Sequence, residues 1–131
     1  MATNSKASLL SRILAAKVVL SLFIWGLPAL LAPMTVFQGL GIPTPDDPLF
    51  VRLFGALVAA IAVAYWYAYK DPIRNVAILK VGILDNGLVT LVILVFTIFY
   101  DLRSAFMWAS GVLTLLFFVS FIVLMPRGEA A

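Results

Sequence analysis

The chain has 131 residues, of which 64% are hydrophobic and 11% are charged, and its mean hydropathy is +1.13. Soluble domains are about 45–50% apolar and about 25% charged, so this composition indicates an integral membrane protein. The net charge of +3 comes from scattered basic residues, which argues against nucleic acid as a partner, and the absence of Cys and His removes most catalytic and metal-binding chemistry, so we expect no enzyme, metal or cofactor.

Four stretches are long and apolar enough to cross a hydrocarbon core about 30 Å thick. We predict helices at about 9–37, 48–69, 72–100 and 104–125, with a long outer loop at 33–48. The other two connections are tight and make neighbouring helices antiparallel. The expected fold is therefore a single all-α domain over residues 1–131, an antiparallel bundle of four transmembrane helices.

The apolar stretch of the first predicted helix begins at about Val18 and follows Lys6, Arg12 and Lys17, an arrangement also found in secretory signal peptides. The best cleavage position, Ala32, is followed at once by Pro33, so we expect a helix that is retained. Apolar residues between positions 9 and 14 share one helical face. This opening part could lie along the membrane surface, or it could be a disordered basic segment.

The distribution of Lys and Arg predicts the orientation, because cytoplasmic loops carry an excess of both. Only Arg52 and Arg103 fall on one side of the predicted bundle. The other side carries seven basic residues, namely Lys6, Arg12, Lys17, Lys70, Arg74, Lys80 and Arg127. Both termini are therefore expected in the cytoplasm.

Two helix starts and one loop have a chemical basis in the sequence. Asp47 and Asp71 each precede a proline, which predicts that they cap the second and third helices. The outer loop 33–48 is rich in proline and also carries apolar side chains. It could be a lid over a cavity or a short interfacial connector, and we favour the connector.

Small residues predict where the helices pack, since helices in lipid associate through close contact. The predicted seam is a row on the second helix together with one glycine of the third: Gly55, Ala56, Ala60, Ala64, Ala68 and Gly82. We expect the small residues of the second helix to touch the face of the third helix that carries Gly82, Asn86 and Thr90.

The third helix also carries a predicted intramembrane polar site at Asp85, Asn86 and Thr90, with Lys17 and Lys80 as the nearest candidate partners. An unpaired aspartate at the centre of a membrane helix costs about 2.5–3.5 kcal/mol on insertion scales. Asp85 should therefore face the interior and be paired or protonated, and nearby tyrosine phenols could donate hydrogen bonds to it. The site is either a polar clamp between helices, which we favour, or a proton- or cation-linked site.

Arg52 forms a predicted charge group at the outer mouth with Asp47 and Asp101. Its long side chain could reach either carboxylate or a lipid phosphate. An anionic substrate at the outer mouth is the alternative interpretation.

The stretch RLFGALVAAIAVAYWYAYKDPIRN, residues 52–75, has an Arg near the helix start, a run of small residues, an aromatic end and a turn with Pro and Asn. It resembles the second helix and following turn of small uncharacterised bacterial four-helix membrane proteins of the BphX-like kind. That resemblance implies a bacterial inner membrane and no established activity. Lys80, Asp85 and Asn86 match no part of it, so no functional residue is carried over.

These observations favour a non-enzymatic membrane subunit or scaffold that packs with itself or with another membrane complex. The alternative is a small oligomeric transporter or channel with its site at Asp85 and Asn86. An enzyme acting on lipid ranks last. The expected partners are the lipid bilayer and either a second copy of the chain or another membrane protein.

Overall fold

A computed structural model of the chain describes residues 2–126, and its regular elements are all helices. Helix α1 (Ala2–Leu20) continues through a π-helical segment (Ser21–Gly26) into α2 (Leu27–Leu31). The remaining helices are α3 (Met34–Gly39), α4 (Leu49–Lys70), α5 (Val76–Phe99) and α6 (Ala105–Leu124). Four of these stretches are long and apolar enough to cross a membrane: the first span, Ser5–Leu31, and α4, α5 and α6. The predicted all-helical, multi-pass membrane class is thus confirmed for this part of the chain, while Arg127 lies outside the described residues.

The first helix differs from the predicted range 9–37 at both ends. It ends at Leu31 because Pro33 pushes the preceding residue, Ala32, into an extended conformation, and α3 then forms separately. Its opening part does not lie apart on a surface. Leu10 and Leu14 are buried in the main apolar core, so the segment is an integral part of the first span.

The π-helical segment lies just before Pro28. At its end the N–H of Leu27 donates to the carbonyl of Leu22, five residues earlier. Proline has no N–H, and its ring clashes with the carbonyl four residues before it, which here belongs to Ile24. The wider π turn accommodates this disruption without ending the helix.

The other helices begin and end close to their predicted positions, with one exception. The Asp47 carboxylate accepts the N–H of Leu49 at 2.9 Å in the turn that leads into α4, but the N-cap of that helix is Pro48 and not Asp47 as predicted. Asp71 does not cap α5, which starts at Val76 and not at 72. Its carboxylate accepts the N–H of Arg74 at 3.0 Å, so it stabilises a separate turn over 71–75.

The four spans form two distinct zones along their length. We call the end that holds residues 71–75 the turn end, and the end that holds residues 32–48 and 100–104 the loop end. The main apolar core lies towards the turn end and consists of Leu10, Leu14, Tyr65, Ala68, Leu79, Phe117, Phe121 and Leu124. Along the bundle, α4 packs on the first span and α6 on α5, while α4 and α5 touch less extensively.

The prediction that the small residues of α4 form one packing face is wrong. Ala56 and Ala60 are exposed and Ala64 is half-buried, whereas Gly55 and Ala68 are buried. At 3.6 residues per turn, a row of every fourth residue rotates by about 40° at each step, so the alanines drift from the outer surface into the interior.

The partner of the small residues was also wrongly predicted. A Cβ added to Gly55 would lie 2.7 Å from the backbone carbon of Ala29, so α4 makes its closest approach to the first span. Gly82 of α5 packs instead against the side chains of Tyr65 and Phe121. The α4–α5 contact is therefore made by a tyrosine and not by a row of alanines.

Candidate functional site

A cluster of four polar residues lies between the first span, α4 and α5. Its members, Lys17, Tyr65, Asp85 and Asn86, are called the polar cluster below. Lys17 is 4% exposed, and the Asp85 side chain is 26% exposed. At 1.5 Å per residue, Lys17 is about 18 Å along the helix from Ser5 and about 21 Å from Leu31. Lys17 therefore lies near the middle of the first span and Asp85 about 14 Å from the start of α5, whereas Tyr65 lies about 8 Å from the end of α4.

Lys17 is the cation of the polar cluster. Its ammonium group donates to Asn86 Oδ1 at 2.6 Å and lies 3.7 Å from Asp85 Oδ2. It also lies over two aromatic rings, 5.3 Å from the ring centroid of Tyr65 and 5.0 Å from that of Phe117. Carboxylate, amide and ring faces all stabilise a cation, and together they replace water around this one.

Asp85 and Asn86 connect this cation to α4. The Tyr65 hydroxyl donates to Asp85 Oδ2 at 3.0 Å, and Asn86 Nδ2 donates to the Gly82 carbonyl at 2.6 Å and to the Tyr65 oxygen at 3.4 Å. Within residues 5–126, no buried side-chain nitrogen or oxygen is left without a hydrogen-bond partner. The polar cluster thus ties three helices together with its buried polar atoms satisfied.

Thr90 extends the cluster towards α6. Its hydroxyl donates to the Asn86 carbonyl at 2.8 Å and lies 2.7 Å from the Thr114 hydroxyl. The predicted residues Lys17, Asp85, Asn86 and Thr90 are therefore brought together. Lys80 is not: its side chain is exposed, and among the described residues it forms no ion pair with Asp85.

The predicted charge group at the outer mouth does not form. Arg52 donates from Nη1 to the Ala29 carbonyl at 2.9 Å, and Asp101 pairs with Arg103 at 2.8 Å. The Asp47 carboxylate instead accepts the N–H of Leu49 at 2.9 Å. Arg52 turns inward because the close approach at Gly55 brings the backbone of the first span within its reach.

A partly enclosed cavity of about 380 Å³ extends from the polar cluster to the loop end. All four spans contribute to its walls, and its charged lining residues are Lys17 and Asp85. Its apolar walls include Ile24, Trp25, Phe54, Val58, Ile93 and Phe106. The cavity therefore has apolar walls and a charged floor.

The loop over residues 32–48 forms part of the cavity wall at the loop end. Phe37, Ile42 and Thr44 are among its lining residues. The loop is held down by the Ser104 hydroxyl at the start of α6, which donates to the Leu40 carbonyl at 2.7 Å. The next residue, Gly41, has a φ of +70°, a backbone conformation that glycine adopts readily. This arrangement favours the lid over the connector as the interpretation of the loop.

Sequence reasoning missed most of the cavity wall. Trp25, which donates from Nε1 to the Ser110 hydroxyl at 3.1 Å, had been given no role. A signal was present, since Lys17, Ser21 and Trp25 recur every four residues on one face, as do Ser110 and Thr114 on α6. Isolated serines and threonines are common in membrane helices, so these patterns were not distinctive.

The chemistry available at this site is binding and proton exchange. Lys17 and Asp85 offer an ammonium group and a carboxylate at the cavity floor, whereas Tyr65 and Asn86 are fully buried and do not line the cavity. Within the described residues, no group of three or more acidic side chains lies close enough to hold a metal ion. Comparison with protein-family models, curated proteins and solved structures found no match to this chain.

Proposed function

We propose that this chain is a non-enzymatic membrane protein that binds a small molecule in its central cavity, as one step of transport within or across the membrane. The observation that carries the proposal is the cavity of about 380 Å³, which all four spans line and which reaches the ion pair of Lys17 and Asp85. A scaffold needs close packing, whereas ligand sites are mostly apolar pockets with a few placed polar groups.

The proposed architecture is an antiparallel bundle of four helices in a bacterial inner membrane, with both termini in the cytoplasm. Lys70, Arg74 and Lys80 lie at the turn end, while Arg52 and Arg103 lie towards the loop end. The positive-inside rule then places the turn end in the cytoplasm. The resemblance of residues 52–75 to BphX-like proteins supports a bacterial membrane.

Transport also requires a continuous pathway through the turn end of the protein. The main apolar core fills the turn end, so the cavity is closed on that side. A continuous pathway therefore requires either a second conformation, in which the core opens, or several copies of the chain. We propose a homo-oligomer, as expected for a unit this small.

A scaffold or subunit of another membrane complex is the second candidate. It is supported by the polar cluster, which ties three helices and leaves no buried polar atom unpaired within residues 5–126. In this interpretation Lys17 and Asp85 act as a clamp, and the cavity is filled by lipid chains.

Native mass spectrometry of the protein, released gently from its membrane, tests the proposal. The informative variant is Val58→Trp, because Val58 is half-buried and lines the cavity, so an indole there fills it. The matched control is Leu57→Trp on the same helix, since Leu57 is 71% exposed. We expect the wild type and Leu57→Trp to retain a small molecule at fixed stoichiometry, and Val58→Trp to lose at least about 90% of it.

Two outcomes would contradict the proposal. In the first, Val58→Trp retains the same small molecule as the wild type, which would place the ligand elsewhere. In the second, the wild type carries no small molecule and leaves the membrane with a different protein subunit, which would establish the scaffold.

A further inference from the structure

We propose that the cavity takes an electrically neutral, largely apolar molecule with a single hydroxyl group, which binds between Asp85 and Lys17. This inference rests on the proposed function and specifies the ligand class of the same cavity. It follows from the opposite charges of Lys17 and Asp85, from the hydrogen bonds that these two side chains can still form, and from the volume and apolar lining of the cavity.

The charge balance of the cavity excludes an ionic ligand. Lys17 and Asp85 are the charged residues that line it, and they lie 3.7 Å apart with opposite signs. The rest of the wall is mainly apolar. An anion or a cation would bring a third, uncompensated charge into a site with little water, where an unpaired charge is strongly disfavoured. A neutral ligand adds no such charge.

The ion pair retains one acceptor and at least one donor for a ligand. Tyr65 donates to Asp85 Oδ2, while Oδ1 accepts no hydrogen bond from the residues that the structure describes. The Asp85 side chain is 26% exposed, and it lines the cavity. The Lys17 ammonium has three N–H donors, of which one is taken by Asn86. Its other contacts are weaker and can be replaced by a ligand oxygen: Asp85 Oδ2 at 3.7 Å and the ring centroids of Tyr65 and Phe117 at 5.3 and 5.0 Å.

A hydroxyl group matches this pair better than other neutral groups do. It both donates and accepts, so it can donate to Asp85 Oδ1 while accepting from Lys17. A carbonyl or an ether only accepts, and it would leave Oδ1 without a partner. Hydrogen bonds to charged groups are about twice as strong as those between neutral groups, so the head group contributes substantially to affinity.

The walls define the body of the ligand. They include the rings of Trp25, Phe37, Phe54 and Phe106. A dry cavity of about 150 Å³ binds benzene, so about 380 Å³ accommodates an apolar body of two or three rings, or a branched chain of similar volume. A two-ring aromatic body with a short arm is therefore a suitable probe.

Four probes with the same naphthalene body test the proposal. They are the alcohol 2-(2-naphthyl)ethanol, the hydrocarbon 2-ethylnaphthalene, the carboxylate anion of (2-naphthyl)acetic acid and the cation 2-(2-naphthyl)ethylammonium. Binding is measured to the full-length protein in lipid nanodiscs and corrected for uptake by empty nanodiscs. We expect the alcohol to bind about tenfold more tightly than 2-ethylnaphthalene and more tightly still than either ion.

Charge variants locate the head group. Lys17→Met leaves Asp85 alone at the floor, and the preferred probe should become the ammonium ion. Asp85→Asn leaves Lys17 alone, and the preferred probe should become the carboxylate. Lys80→Met is the matched control, because Lys80 is exposed and away from the cavity, and it should keep the wild-type order.

The outcomes separate this inference from the proposed function. If the wild type binds the alcohol and 2-ethylnaphthalene equally, or prefers an ion, the hydroxyl assignment is wrong while the cavity remains a binding site. If no probe binds the wild type above the level of Val58→Trp, both proposals are wrong. The order of the wild-type affinities decides the question even where a charge variant does not fold.

Discussion

Lys17 is the residue whose position differs most from its prediction. The apolar run of the sequence begins at Val18, which placed Lys17 at the membrane boundary. The structure buries it to 4% exposure, because the helix starts earlier and Leu10 and Leu14 lie on the same side. Lys17 was nonetheless a candidate partner of Asp85, since desolvated charges require opposite charges nearby. The sequence offered Lys17 and Lys80 as partners of Asp85, and neither the choice between them nor the depth of Lys17 could be predicted.

At this scale we predict that the two charges stabilise the fold as a unit. Lys17→Met and Asp85→Asn should each lower the free energy of unfolding by about 1–3 kcal/mol, because each leaves a buried partner uncompensated. The double variant removes both charges, so its loss should be smaller than the two single losses combined. Denaturant titration of the four proteins in micelles measures this coupling. Strictly additive losses would show that the ion pair does not act as a pair.

At the scale of the element, the helices themselves were predictable and their contacts were not. Hydropathy and length predicted four spans, since a bilayer demands about 20 apolar residues in each. Pro33 ended the first helix earlier than its apolar run suggested, and the turn at 71–75 delayed α5. The alanine row of α4 was misread because its spacing of four residues differs from the helical period of 3.6.

The contact between α4 and the first span gives a prediction at this scale. Gly55→Ala should lower the free energy of unfolding by about 1–3 kcal/mol, because the new Cβ would lie 2.7 Å from the backbone carbon of Ala29. Ala60→Leu adds a larger side chain to the exposed face of the same helix, and its effect should stay within about 0.5 kcal/mol. Thermal unfolding in one detergent compares the two. A larger loss for Ala60→Leu would restore the alanine row as the packing face.

At the scale of the whole molecule, the cavity could not be derived from the sequence. It depends on the relative positions of four helices and on a loop that folds back over them. Gly55, the π-helical segment before Pro28 and the contact of Ser104 with Leu40 together set those positions. Each is a local feature, and its effect on the shape of the interior appears only when all four spans are in place.

The proposed orientation can be tested on intact cells, because the chain has no cysteine. Single cysteines are introduced by Asp46→Cys at the loop end and Arg74→Cys at the turn end, where both native side chains are exposed. A membrane-impermeant maleimide should label Asp46→Cys in intact cells and Arg74→Cys only after permeabilisation. The reverse pattern would place both termini outside the cytoplasm.

The depth of Lys17 has a consequence for how the protein enters the membrane. A lysine at the centre of a helix opposes insertion by about 2.5–3.5 kcal/mol, and its hydrogen-bond partner Asn86 is synthesised 69 positions later. While the ribosome is still making α4, the first span has no compensating group in the bilayer. The apolar residues of the first span offset this cost, but its integration is less favourable until α5 emerges, so biogenesis should favour holding these segments together at the translocation machinery and releasing them jointly into lipid.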